Sequence, residues 1–453
     1  MAKTRTEYQC QDCGAASRQW AGQCVTCGAW NTLVEAVIAD VKPAAGRGYA
    51  GQLPTRAKLG EISATALHRL PSGMGELDRV LGGGFVPGSV VLLGGAPGAG
   101  KSTLLLQVAT HLSGQTPCLY VTGEESLEQI ALRAQRLGLS GAQLDCVSET
   151  RVEAIEALIT SLRPAFVVVD SIQVMQVETL SGAPGSVGQV RESAAYLTRV
   201  AKRTGAVLLL VGHVTKDGTL AGPKVLEHII DASMMLDGDT GGRYRTLRGI
   251  KNRFGSVGEL GVFAMTETGL KEVKNPSALF LQRPERPAPG SAVICTWEGT
   301  RPLLVEVQAL VDHSLGGHPR RVTVGLDGQR LAMLLAILHR HGQLQLGDQD
   351  VFLNVVGGVR VTETGADLGV ILASVSSFRE RVIPPHWVMF GEVGLSGEVR
   401  PVASGQERIR EAAKHGFTRA LVPRANAPKQ PIAGMEIVPL DRLSDALEVF
   451  YAT

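Results

Sequence analysis

Residues 95 to 102 read GAPGAGKS, two glycines separated by four residues and followed by Lys101 and Ser102. That spacing suits a triphosphate. Backbone N–H groups between Gly95 and Lys101 can turn inward around a β-phosphate, because Gly98 and Gly100 carry no side chain to obstruct it. Lys101 would reach the β- and γ-phosphates, and the Ser102 hydroxyl would ligate Mg2+. The expected nucleotide-binding set is Gly95, Ala96, Pro97, Gly98, Ala99, Gly100, Lys101, Ser102 and Thr103, with ATP as the ligand.

Hydrolysis needs a second magnesium anchor and a group that polarises the attacking water. FVVVD at 166–170 ends in Asp170, placed to hold the metal through water, and YVTGEES at 120–126 carries Glu124 and Glu125. Of these two, Glu124 is the leading candidate base. VLLLVGHVTKDG at 207–218 places His213 where it could contact the γ-phosphate region and report hydrolysis to the loop behind it. Lys216 and Lys224 in that loop are candidate grips on a phosphate backbone. Lys251 and Arg253 stand two apart in GIKNRFGSVGE, an arrangement suited to an arginine finger offered to a neighbouring subunit's ATP or to a DNA contact. Over residues 191–253, eleven Lys or Arg face six Asp or Glu, so a salt-sensitive nucleic-acid track is expected there.

A separate chemistry opens the chain. Cys10, Cys13, Cys24 and Cys27 form two CxxC pairs, each followed by a glycine, the spacing of a tetrahedral Zn2+ site closed by four thiolates. Two disulfides or a redox pair are the alternatives, disfavoured by a cytosolic setting and by the doubling of the motif. Cys118, Cys146 and Cys295 lie far apart in apolar surroundings and are expected to be buried structural residues.

These residues need a scaffold. Apolar runs at 90–93, 118–121, 166–169 and 207–211 alternate with amphipathic helical stretches, which predicts a mostly parallel sheet with helices on both faces. In such sheets ligands bind beyond the carboxyl ends of the strands, where the acids and the glycine loop fall. The expected organisation is a zinc ribbon at 1–35, a flexible linker at 36–62 rich in Ala, Gly and Pro, an ATPase domain at 63–285 and a C-terminal α/β domain at 286–453. The net charge of +2 argues against a chain that binds nucleic acid over its whole surface. No apolar stretch approaches bilayer length, so a cytoplasmic protein that avoids the membrane is expected.

The cysteine ribbon, LDRVLGGGFVPGSVVLLGGAPGAGKST at 77–103, GEES, VVVD at 167–170 and KNRFG at 251–255 together resemble the RadA, or Sms, family of bacterial DNA-repair ATPases, related to RecA and to DnaB-type hexameric helicases. The resemblance covers nearly the whole chain. It implies a RecA-like core, a hexameric ring with ATP sites between subunits, and single-stranded or branched DNA as partner. It also implies branch migration and strand exchange alongside the RecA recombinase. By position, Glu124 matches the catalytic glutamate of RecA-like ATPases, and Lys251 with Arg253 match the trans-acting pair of ring helicases.

From about residue 291, VVGGVRVTETGADLGVILA and FGEVGLSGEVRPVASGQERIREAAKHGF resemble the proteolytic domain of Lon proteases. There the nucleophilic serine's place falls at about Asp367 and the activating lysine's at about Glu407. Two acids cannot run serine–lysine acyl transfer. A non-proteolytic scaffold for ring assembly is expected, with Arg320, Arg321 and Arg360 as candidate DNA-facing residues. An ATP-dependent protease and a regulatory P-loop ATPase that switches without translocating are the alternative functions.

Overall fold

The computed structural model describes residues 5–10, 16–26, 28–38, 68–139, 143–180, 182–212, 226–238, 243–281, 286–314 and 318–453. The chain divides into two compact units, residues 1–273 and 274–453.

The first unit begins with a small antiparallel sheet. β1 (Arg5–Cys10) lies between β2 (Ala16–Ser17) and β3 (Leu33–Ile38), with Cys10 opposite Leu33. Cys10, Cys24 and Leu33 form its buried core.

The larger sheet follows, in order of appearance: α1 (Gly75–Leu81), β4 (Val90–Gly95), α2 (Lys101–Ser113), β5 (Cys118–Thr122), α3 (Leu127–Arg136), β6 (Asp145–Ser148), α4 (Val152–Leu162), β7 (Phe166–Asp170), α5 (Val187–Thr204), β8 (Val207–Val211), β9 (Ala232–Asp237), β10 (Tyr244–Asn252), β11 (Leu260–Thr266) and β12 (Gly269–Glu272). Its nine strands run in the order β12-β11-β10-β9-β4-β8-β7-β5-β6. From β9 to β6 all neighbours are parallel. β4, β5, β7 and β8 are buried along their whole length, which explains their unbroken apolar composition. Alternation along β4 divides two cores: Val91 and Leu93 pack with Leu104, Leu105 and Val108 of α2, while Val90 and Leu92 pack with Ile155 of α4 and Leu197 of α5. Each such fully buried side chain contributes roughly 1.5–3 kcal/mol.

Two features depart from expectation. The sheet extends past β4 through an antiparallel edge, β10 to β12, that short apolar runs do not announce. Cys146, expected to be buried, is exposed, because β6 is the edge strand and, among the described residues, pairs with β5 alone. Cys118 and Cys295 are buried as expected.

The second unit carries α6 (Pro276–Phe280), β13 (Ser291–Glu298), β14 (Arg301–His313), β15 (Arg321–Val324), α7 (Gly328–Gly342), β16 (Gln349–Val355), α8 (Asp367–Phe378), β17 (Trp387–Met389), β18 (Glu392–Val393), β19 (Val399–Arg400), α9 (Gly405–Lys414), β20 (Arg419–Pro423), β21 (Glu436–Leu440) and α10 (Leu443–Tyr451). A mixed sheet of order β15-β16-β14-β13-β17-β20-β21 forms its centre. The apolar run 331–338 lies in α7, which buries Leu331, Leu334, Ile337 and Leu338 and leaves Met333 exposed. Among the described residues no helix is long and apolar enough to cross a membrane.

Candidate active site

The loop between β4 and α2 has the backbone its composition requires. Gly95, Gly98 and Gly100 all have positive φ, at 154°, 79° and 103°. A Cβ on Gly95 would lie 2.5 Å from the Leu236 carbonyl oxygen of β9, so no other residue fits there. Gly100 precedes α2 without a side-chain cap, which leaves the helix N-terminus to an anion. Lys101 is 5% exposed, and its Nζ donates to the Gly95 carbonyl at 2.6 Å and the Ala96 carbonyl at 3.1 Å. Burial pushes its pKa down, while Asp170 and Glu124 act in the opposite direction. Both acids are thus close enough to act electrostatically on this ammonium.

Sheet order explains how they come there. β7 lies two strands from β4, about 10 Å away, and β5 lies beside β7 with Thr122 opposite Asp170. The Gly123 amide donates to the Asp170 carbonyl at 2.9 Å, tying the two strand ends together. Asp170 is buried and accepts a hydrogen bond from the Tyr120 hydroxyl at 2.7 Å. That fixed carboxylate and the Ser102 hydroxyl are hard oxygen donors, a set that fits Mg2+.

Glu124 and Glu125 diverge. Glu125 is ion-paired to Arg133 of α3, whereas Glu124 is exposed at the strand ends and accepts a hydrogen bond from the Ser171 hydroxyl, next to Asp170.

Lys251 and Arg253 lie elsewhere. Lys251 lies in the last residues of β10 and Arg253 directly follows it; this end pairs with the start of β9, and the Asp231 amide donates to the Val90 carbonyl at the start of β4. This is the amino-terminal edge of the parallel sheet, five residues along β4 from the loop, about 17 Å. Lys251 donates from Nζ to the carbonyls of Ile230, at 2.8 Å, and Glu227. Arg253 is half exposed and bound through Nη1 to Asp231 at 3.2 Å. The triple glycine of LGGGF shapes this edge. A Cβ on Gly82 would meet Gly255 Cα at 3.3 Å, and one on Gly84 would lie 2.8 Å from the Leu70 carbonyl. Arg69 spans the turn, donating to the Leu81 and Gly84 carbonyls at 3.2 Å and to the Phe254 carbonyl at 2.6 Å. The Asn252 side chain also accepts the Phe254 amide at 2.8 Å.

With this geometry in place, comparison with known proteins separates the families. Residues 57–219 match the AAA domain family and residues 8–35 match the rubredoxin metal binding domain family. DNA repair protein RadA of Haemophilus influenzae is 60% identical over 454 residues, covering 99% of both chains. RadA of Escherichia coli is 59% identical over 458 residues, and that of Bacillus subtilis 44% over 456, again covering 99% of each chain. The chain belongs to the RadA family of DNA repair proteins. A solved KaiC-like protein from Pyrococcus horikoshii aligns over 46% of this chain and 99% of its own, at 20% identity and a TM-score of 0.39.

This RadA-family chain therefore carries a P-loop ATPase domain and a metal-binding ribbon. In the ribbon, Gly28 has φ 75° and its amide donates to the Cys24 carbonyl at 2.8 Å, the tight turn that a thiolate pair needs around Zn2+. Cys13 and Cys27, and also His213, Lys216 and Lys224, lie outside the described residues. Among those described, no group of three or more Cys, His, Asp or Glu is gathered as a metal site.

Several positive charges of 191–253 are engaged within the protomer. Lys202 and Arg253 pair with Asp231, Arg203 pairs with Glu156, and Arg245 donates from Nε to the Ala99 carbonyl at 3.0 Å. Arg245 supports the phosphate loop in a way the sequence did not announce: 3% exposed, it braces the loop from β10, and a Cβ on Gly238 would lie 2.5 Å from its Cδ. The one available signal was an arginine in alternating register three residues after a double glycine.

In the second unit, neither place of the protease dyad holds one. Asp367 is 2% exposed, pairs with Arg330 through both oxygens and accepts the Val393 amide at 3.0 Å. Burial raises its pKa, against the pull of Arg330. Glu407 is exposed on α9 and faces Arg410 at 3.9 Å. Arg320 donates from Nε at 2.9 Å and Nη2 at 2.7 Å to Asp350 Oδ2, Arg321 donates to the Leu346 carbonyl at 2.8 Å, and Arg360 is exposed.

Proposed function

We propose that this protein is a DNA-stimulated ATPase of recombinational repair whose ATP sites are completed between subunits. The observation that carries the proposal is the placement of Lys251 and Arg253 at the sheet edge opposite their own phosphate loop. From there they cannot reach the nucleotide held by the same chain, while a neighbour in a head-to-tail ring can receive them.

Gly95 to Thr103 would bind the triphosphate, Lys101 would offset its β- and γ-charges, and Ser102 with Asp170 would hold Mg2+. Bound magnesium supplies charge neutralisation across the phosphates. Glu124, steadied by Ser171, would accept the proton of the attacking water, and Arg253 of the adjacent subunit would stabilise the charge that develops. His213 would report hydrolysis, and Lys216 and Lys224 would grip DNA. The assembly would be a hexameric ring in the cytoplasm, acting on single-stranded and branched DNA with RecA, with Zn2+ on the four cysteines. The domains would run 1–35, 36–62, 63–285 and 286–453, the last a non-proteolytic scaffold.

The deciding experiment is ATP hydrolysis with and without single-stranded DNA, combined with branch migration of a three-strand intermediate with and without RecA. Faster hydrolysis on DNA and longer joint molecules are expected. A rate that DNA leaves unchanged would instead favour a switch that does not translocate.

A further inference from the structure

Asp231 is 3% exposed and stands where three elements meet, just before β9. Its two oxygens have separate duties. Oδ2 accepts the Val90 amide at 3.0 Å and the Lys202 ammonium at 2.5 Å, which anchors the carboxylate to the start of β4 and to the last turn of α5. Oδ1 accepts Nη1 of Arg253 at 3.2 Å. The Asp231 carbonyl also accepts the Arg253 amide at 3.0 Å, so both backbone and side chain of Arg253 are located by one residue. The Arg253 side chain remains 53% exposed.

A guanidinium has five N–H donors in one plane. Fixing one edge against a rigid carboxylate sets the direction of the rest. A long side chain left free would spend most of its time in other rotamers, and an electrostatic stabiliser is effective only when its orientation precedes the reaction. Lys202, bound to the other oxygen, holds the carboxylate in place.

We infer that Asp231 is a positioning residue that aims Arg253 at a phosphate bound by a neighbouring subunit. The inference rests on the shared-site reading above. The test uses the full-length protein, steady-state ATP hydrolysis on single-stranded DNA, and the variants D231N, K202M and R253A with the doubles D231N/R253A and K202M/R253A.

In D231N, kcat is expected to fall about tenfold, within the range for residues sharing one hydrogen-bonded network, with KM for ATP changed by less than about twofold. K202M should show a smaller loss in the same direction, because the anchor loosens while the aiming oxygen stays. Neither change should lower kcat further once Arg253 is alanine. Losses that multiply with R253A, or full activity in D231N beside a crippled R253A, overturn the positioning role alone. Full activity in R253A overturns the shared site as well. Binding of a fluorescent ATP analogue reports folding, and if D231N fails to fold the K202M pair decides.

Discussion

The two units each place a helix behind a tight turn where chemistry is expected, and they treat that helix end in opposite ways. Before α2, glycines at 95, 98 and 100 keep backbone amides uncovered, and the Lys101 ammonium rests on two carbonyl oxygens that a phosphate can replace. At the start of α8, Asp367 fills the corresponding place with a buried carboxylate already satisfied by Arg330 and the Val393 amide. A reactive site keeps its strongest groups weakly committed. A structural site commits them to each other.

Removing Lys101 should give the largest effect. Lys101→Ala is expected to lower ATP turnover by at least about a hundredfold in a phosphate-release assay, the scale for losing one preorganised charge. A variant that hydrolyses normally would break the comparison at its root. The two adjacent acids come next. Glu124→Gln should cost about a hundredfold in kcat if it accepts the water proton, whereas Glu125→Gln, which only frees Arg133 from a partly exposed pair, should stay within about threefold. Reversed magnitudes would exchange their roles.

On the other side of the comparison, Asp367→Asn leaves a largely buried guanidinium uncompensated. The expected cost is about 3 kcal/mol, seen as a fall of about 6–12 °C in the melting of the second unit, with ATP binding unchanged. Casein should remain intact with ATP present, in this variant and in the parent protein.

The smallest effect is pH-dependent. Hydrogen bonds from Arg151 hold the Glu149 carboxyl at about 2, below its ordinary value of 4.5. A carboxyl depressed in the folded state stabilises the fold above its unfolded pKa and loses that contribution as pH falls through the folded one. Glu149→Gln should therefore lower the melting temperature at neutral pH by no more than about 3 °C, given the exposure of Arg151. The difference from the parent should disappear between pH 4.5 and 2.

What could be read from the sequence follows sequence distance. The phosphate loop, the strand-end acids and the four buried strands declare themselves within a dozen residues, because glycine conformations and apolar runs are local. Arg245 and Ala99 are 146 residues apart, and Lys202, Asp231 and Arg253 converge from three elements, so only the register of β9, β10 and β4 brings them together. Charge counting over 191–253 overlooked this, because it counts side chains and not their partners. The exposure of Cys146 was hidden for the same reason, since an edge strand has no mark of its own in a short apolar run.

The placement of Lys251 and Arg253 at the edge away from their own phosphate loop has an arithmetic consequence. If the sites are shared as proposed, a single chain would own two half-sites and no whole one, a closed ring of n chains would own n whole ones, and a ring with one gap would own n − 1. Specific activity would rise with protein concentration until rings close, and a gap opened to admit a DNA strand would silence the one site at the break while the others continue to turn over.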